Sequence, residues 1–456
     1  LARESLPWLQ AKLDRMRGLE PDPDPVLPPP DDPWNPDTAF VIALALMIGE
    51  ALIANGASAE ETAAGMMTTA ESFGLQWCEP NVTMWVVSLS GRMPGDARPL
   101  VEQRVIRRRT TDFTALERTH RLVEEISERT VPAAEARERA IALSPSLNRA
   151  VPTGRAARWG LAAGHSGAVA ASGSLVAGGD LRVIVPSFVA ATLAGYLTNT
   201  LSALGVLPFY RFALAAMPAA VFAYLAELLG HGDISPAIIV GGVLSLLPTL
   251  TMVDAVQDAL TGHYLTAYAR LMDAALVFVA IVAGIGMVLV VATKNGQDLP
   301  LLSQTTTIDY FSWRFVGAAA FAVAIASRMR VPPRRWFAVM LLGTSGVMGY
   351  VVLRDMGYSR MLTTGVIAVG ISLAGRLIAR RTGDSALPLV IPAVTPLLPG
   401  SVLYRALSEL AVRDSDHGVT HMVQAIALMV VLATGVSFGN EAAYFFRQFR
   451  RRWSGP

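Results

Sequence analysis

The sequence predicts an all-α polytopic membrane protein of about ten transmembrane helices, arranged as two inverted five-helix repeats behind a small cytoplasmic α+β N-terminal domain. Three observations predict it. The chain is 52% hydrophobic and only 16% charged, with mean hydropathy +0.43, and its apolar residues come in long runs rather than alternating with polar ones. Charge is unevenly spread: residues 1–158 carry 18 Lys/Arg and 22 Asp/Glu, and the remaining 298 carry 20 and 14. A polar third therefore precedes a hydrophobic two-thirds. Finally, two apolar segments are interrupted by proline at matching places: IIVGGVLSLLPTLTMVDAVQDAL (238–260) and LPLVIPAVTPLLPGSVLYRAL (387–407).

Residues 1–37 form a charged, amphipathic start and then a proline-rich acidic linker, PDPDPVLPPPDDPWNPD. No secretory signal peptide is visible, and the missing initiator Met suggests a trimmed start. Residues 38–157 read as the cytoplasmic α+β domain. Its apolar stretch 39–54 stops at Asn55-Gly56, and Ser58 before Glu60 and Glu61 reads as the cap and first turn of a second helix. At 16 residues the stretch is short for a membrane span, so it reads as a core helix. CEPNVTMWVVSLSG (78–91) reads as one strand, with VEQRVIRRR (101–109) as its partner, and two amphipathic helices come next, near 112–129 and 132–143. The single cysteine, Cys78, excludes an intrachain disulfide and reads as a packed core residue.

From 158 onward, ten stretches approach the ~20 residues a bilayer needs: 158–178, 182–204, 208–229, 234–256, 266–292, 311–329, 334–353, 359–379, 386–411 and 420–446. Five fall in residues 158–293 and five in 310–446, and residues 447–456 make a basic tail. Arg328, Arg330, Arg334 and Arg335, then Arg376, Arg380 and Arg381, then Arg447 and Arg450–Arg452 fall on one side of that arrangement. The positive-inside bias makes that side cytoplasmic, with both termini there. A five-span unit repeated once must be inverted in the membrane, which is an architecture of secondary transporters.

Aligning Pro248 with Pro399 superposes Leu246-Leu247 on Leu397-Leu398 and Thr249 on Gly400. Proline within an apolar helix removes one backbone bond and clashes with the preceding turn. In lipid, such a break persists only where protein or a cavity satisfies the freed groups, and paired breaks point to a substrate site. A half-helix N-terminus favours a carboxylate, and a facing C-terminal end favours an ammonium. Thr249, Thr251, Thr395 and Ser401 are candidate partners for a substrate hydroxyl, although a threonine beside a break also bonds its own backbone. A zwitterionic hydroxylated amino acid fits all of these features; a dicarboxylate is the alternative, as is an uncoupled channel for small metabolites. Charged residues within spans add Asp254, Asp258, Arg270, Asp273 and Arg405 to the candidates.

Other chemistries are excluded. Neither lysine, Lys12 nor Lys294, follows a phosphate-cradling glycine, so no Walker-type ATP site exists. No Gly-x-Ser-x-Gly elbow or nucleophile–base pattern suggests an enzyme. His417 and His421 beside Asp414 and Asp416 have a spacing that can hold a metal, but with only two imidazoles at a loop edge the expected reading is none. Arg107–Arg109 reads as a solvated strand end, with contact to anionic lipid as the alternative. No cofactor and no nucleic-acid partner is expected.

SLLPTLTMVDAVQDALTGHYLTAYARLMDA (245–274) and VTPLLPGSVLYRAL (394–407) resemble the two motifs of the threonine/serine exporter family, bacterial inner-membrane transporters, and in particular its actinobacterial single-chain members. In the first, Val256, Gln257, Asp258, Ala259, Thr261, Gly262 and Arg270 fit; in the second, Pro396, Pro399, Gly400, Tyr404 and Arg405 fit. Asn55-Gly56-Ala57-Ser58 and Phe73-Gly74-Leu75 are similar to the family's cytoplasmic domain, so the likeness runs from about 40 to 446. The resemblance implies export of L-threonine and L-serine driven by the proton-motive force, with protons and membrane lipids as further partners and a homodimer compatible. Two-chain relatives imply dicarboxylate export. The chain departs from the family where a glycine is expected after Pro248 and Thr249 stands instead, and where Asp254 replaces a small residue. The expected substrate site is Pro248, Thr249, Asp254, Gln257, Asp258, Pro399, Gly400, Ser401, Tyr404 and Arg405, with Asp258, Arg270 and Asp273 as the coupling group.

Overall fold

The structure is a computed structural model that describes residue 30 and residues 32–95, 98–145, 155–177, 180–296, 311–382, 385–400, 402, 405–406, 409 and 415–453. The chain divides into two compact units. One comprises Leu1–Thr153 together with Asp258–Arg270; the other comprises Gly154–Gln257 and Leu271–Pro456.

The first unit is built on helix α1, Thr38–Ala54, in which every residue from Phe40 onward is buried. A helix apolar on all sides must be covered on all sides. Asp37 caps it, its carboxylate accepting the Phe40 N–H at 2.7 Å. Gly56, at φ +104°, turns the chain into α2, Ala59–Ser72, where the Ser58 hydroxyl accepts the Glu61 N–H at 3.2 Å. Glu60 and Glu61 lie in that first turn, where the helix dipole favours acids.

The stretch expected as one strand is a hairpin instead. β1, Trp77–Val82, and β2, Val86–Arg92, are antiparallel, and β3, Leu100–Val105, completes a sheet in the order β1-β2-β3. The Thr83 hydroxyl accepts the Val86 N–H at 3.0 Å and closes the turn. That turn carries none of the Gly, Pro or Asn-Gly signals that announce a hairpin, which is why the sequence reads through it. Val87 and Leu89 face the core. Glu50 of α1 is fully buried and ion-paired with Arg104 of β3. Helices α3, Phe113–Ser127, and α4, Ala133–Leu143, pack against α1.

The second unit is helical. Its helices are α5 (Arg155–Val176), α6 (Ile184–Ala203), α7 (Pro208–Leu228), α8 (Ser235–Leu246), α9 (Thr249–Leu260), α10 (Tyr264–Lys294), α11 (Phe311–Arg328), α12 (Trp336–Asp355), α13 (Arg360–Thr382), α14 (Leu387–Val394) and α15 (Ser415–Trp453). The end of α9 and the start of α10 belong to the first unit. Small residues let helices approach: a Cβ on Gly241 would fall 2.1 Å from Ser174 Oγ on α5, and one on Gly242 would fall 2.4 Å from Ala219 Cβ on α7.

The expected ten spans in two inverted five-helix repeats are not what the structure contains. Among the described residues, six helices are long and apolar enough to cross a membrane, or seven if the bent pair α8–α9 counts as one span. They are the segments Leu181–Ala203, Pro208–Leu228, Tyr264–Lys294, Pro333–Asp355, Arg360–Arg381 and Asp416–Gly439. The physical reasons for the shortfall are local. α5 is diluted by Gly, Ala and Ser and begins with two arginines in its first turn. α11 is only 18 residues long and contains Arg314 and Arg328. α14 runs for eight residues before its proline-dictated end, too short for a bilayer.

Candidate functional site

Both proline breaks have the same backbone cause and the same backbone outcome. At the first, Leu247 is extended, with φ −61° and ψ 133°, between α8 and α9. At the second, α14 tightens into a single 3₁₀ turn, Thr395–Leu397, and Leu398 is extended with φ −59° and ψ 142°. A residue before proline is pushed out of the helical region by the ring of its neighbour. The two half-helices at the first break are bent by 52°. Pro248 restarts the helix, its carbonyl accepting the Met252 N–H at 3.1 Å, and Gly400 is already helical.

The second unit brings these breaks together. A Cβ added to Gly400 would lie 2.8 Å from Leu244 Cδ2 and 3.5 Å from Val240 Cγ1, so Gly400 rests on the last two turns of α8. The carbonyls freed at the end of α8 are partly satisfied by Arg328, whose Nη1 donates to the Ser245 carbonyl. A cation at a helix C-terminus meets both an orphan acceptor and the negative end of the dipole. Sequence reasoning placed Arg328 only among the cytoplasmic arginines; its position in the last turn of an apolar helix was the available signal.

Asp254 is buried on α9, and Gln257 and Arg405 are half-buried. Thr395 is buried, and its hydroxyl donates to the Ile391 carbonyl at 2.7 Å. Pro399 and Gly400 are buried, and Pro248 is half-buried. Ser401, Tyr404, Asp414 and the side chain of Thr249 lie outside the described residues, as does most of the linker 1–37.

A second constellation lies wholly in the first unit. Asp258 and Arg270 are both fully buried, with Oδ2 and Nε 3.0 Å apart. The other carboxylate oxygen of Asp258 accepts the Ala59 N–H at 3.0 Å, at the start of α2. Arg270 donates from Nη2 to the Ala57 carbonyl at 3.3 Å. The carboxylate thus meets the positive end of a helix and the guanidinium meets the peptide just before it. Thr266 of the same segment donates to the Val82 carbonyl at 3.1 Å. Asn55-Gly56-Ala57-Ser58, Asp258 and Arg270, some 200 residues apart along the chain, converge here. No local pattern in the sequence foretold that. Asp273 lies outside this group, half-buried on α10.

His421 Nδ1 meets Glu409 Oε2 at 2.5 Å, and among the described residues no group of three His, Cys, Asp or Glu side chains is placed to hold a metal. Cys78 is half-buried on β1; burial and then the nearby Glu71 carboxylate raise its thiol pKa.

The family model described as "Putative threonine/serine exporter" matches residues 43–292, and that described as "Threonine/Serine exporter, ThrE" matches residues 313–441. The chain is 29% identical over 414 residues to the "Probable threonine/serine exporter" of Mycobacterium tuberculosis, covering 88% of this chain and 76% of the relative. It is 27% identical over 446 residues to the "Threonine/serine exporter" of Corynebacterium glutamicum, covering 94% of this chain and 87% of the relative. No solved structure matches.

Proposed function

The chain belongs to the threonine/serine exporter family, a family of membrane transporters rather than enzymes, and from that premise we propose that it exports L-threonine and L-serine from the cytoplasm, driven by the proton-motive force. The observation that supports a defined site is the meeting of the two breaks, with Gly400 seated on Val240 and Leu244 at the end of α8. The substrate carboxylate is received at the turn around Gly400, with Arg405 contributing charge. Ser401 and Tyr404, outside the described residues, are assigned to the substrate on their sequence position alone.

Asp254, buried on the half-helix after Pro248, meets the ammonium or carries the coupling proton, and Gln257 lies one turn on. Asp258 and Arg270 hold the end of that half-helix in place through their mutual ion pair. The protein acts in the bacterial inner membrane.

The test is efflux of labelled threonine from preloaded proteoliposomes, with and without an imposed pH gradient, and with serine and succinate as competitors. Gradient-dependent efflux competed by serine is the expected result, and Asp254→Asn should abolish its gradient dependence. Succinate movement alone would replace this reading with dicarboxylate export. Threonine movement that ignores the gradient would make the protein an uncoupled pore.

A further inference from the structure

Helix α10 is 31 residues long. At ~1.5 Å per residue it spans roughly 46 Å, whereas the hydrocarbon core of a bilayer is only about 30 Å thick. Even tilted, part of its length lies beyond the hydrocarbon. Its first two turns carry the composition expected there: Tyr264 is 72% exposed and Tyr268 62%, with Leu265 exposed between them. Tyrosine and tryptophan favour that zone because one part of the ring system is apolar and the other wet.

The hairpin tip of the β-sheet is fixed beside these turns within the first unit. Thr266 of α10 donates to the Val82 carbonyl at the end of β1. Trp85, at the tip, is 48% exposed, and Val105, the last residue of β3, is exposed too. The Ile106 N–H donates to the Trp85 carbonyl at 2.8 Å, so the basic run Arg107-Arg108-Arg109 leaves the sheet at the tip. The Arg109 guanidinium lies 6.0 Å from the centre of the Trp85 ring. An exposed tryptophan, an exposed valine and three half-buried arginines thus lie close together along the chain at the tip, which Thr266 ties to the start of α10.

We infer that this hairpin tip, Trp85 and Val105 with Arg107 and Arg108, is a docking surface for the anionic phospholipid headgroups of the bilayer. The indole and valine enter the headgroup–acyl boundary, and the guanidinium groups meet lipid phosphates. The arginine run, read from sequence as a solvated strand end, takes the lipid instead. The inference is independent of which substrate the protein moves.

An environment-sensitive fluorophore on Val105→Cys, in the full chain with Cys78→Ser, tests it. The labelled protein is reconstituted into phosphatidylcholine with and without phosphatidylglycerol, using lipids brominated on the acyl chain near the headgroup. Lipid quenching and protection from aqueous iodide are expected, both stronger with phosphatidylglycerol. Arg107→Gln with Arg108→Gln should reduce the anionic-lipid enhancement about fivefold per charge removed, and Trp85→Ala should weaken quenching in both lipids. A probe on Arg121→Cys of α3, expected to be open to iodide and untouched by brominated lipid, reports on correct folding. Iodide access at Val105→Cys without lipid quenching would overturn the inference. So would protection by soluble glycerol phosphate alone, which would mean a free-anion site, or protection that tracks protein density, which would mean a second copy of the chain.

Discussion

The two proline breaks share one backbone geometry but differ in the residues just beyond the proline. Leu247 and Leu398 have nearly the same φ and ψ, because at both breaks the proline ring disfavours the helical region for its predecessor. After the second break comes Gly400, small enough to lie on Leu244. After the first comes Thr249, and then a half-helix whose last turn ends at a fully buried ion pair, Asp258 with Arg270. The lesson is a division of labour. Proline sets where the helix opens, and the neighbouring side chains set what the opening packs against or binds.

The difference is largest at the ion pair, and so is the expected effect of disturbing it. Arg270→Met would leave the Asp258 carboxylate buried without its cation, at a cost of about 3–5 kcal/mol. Unfolding of the purified full chain should show a loss of that size, and Asp258→Leu combined with Arg270→Met should recover most of it, because an apolar pair replaces a buried ion pair at little cost. A double variant that regains stability and still exports threonine would support a holding role for the pair. Regained stability without gradient-driven transport would move the coupling proton from Asp254 to Asp258.

How far the sequence revealed these regions depends on the range of the interactions involved. The breaks were legible because their cause is local: Pro248 and Pro399 act on the residue before and the turn before. The α1–α2 pair was equally legible, since Asn55-Gly56 and Ser58 with Glu60 and Glu61 are stop and start signals within a few residues. The hairpin at Thr83 was missed because a hydroxyl, not a glycine, closes it. The convergence of Ala57, Ala59, Asp258 and Arg270 was invisible because nothing local links positions so far apart. The count of ten spans failed for another reason. Apolar content was read as length, but α14 is cut short by its own prolines and α11 is a brief helix carrying arginine.

A second contrast lies at the residue after each proline. Gly400→Val would drive its β-carbon and one methyl further into Leu244, and overpacking of this kind costs about 1–3 kcal/mol. Threonine efflux should fall sharply, while Gly400→Ala, which asks only the end of the Leu244 side chain to move, should retain part of it. Thr249→Gly goes the opposite way, removing the side chain after the proline. It should leave folding nearly unchanged, since only one exchange at a helix start is involved, and should shift the threonine-to-serine ratio in competition assays. Equal effects of both substitutions on transport and on selectivity would erase the distinction between the breaks.

The smallest expected effect is at Thr395, one turn before the second break. Its hydroxyl donates to the Ile391 carbonyl, and that carbonyl also accepts the backbone N–H of Thr395. Thr395→Val therefore removes one of two donors without orphaning the acceptor, a loss of about 1 kcal/mol or less. Valine keeps the volume and the branched shape of threonine, so the 3₁₀ turn that it begins is undisturbed. If the hydroxyl serves only its own helix, KM and kcat for threonine and for serine stay within the scatter of the wild-type protein. A KM raised several-fold for both substrates, with folding intact, would instead show that the hydroxyl leaves the Ile391 carbonyl during the transport cycle to bond the substrate. The second break would then recognise the substrate with its upstream half-helix as well as with the Gly400 turn.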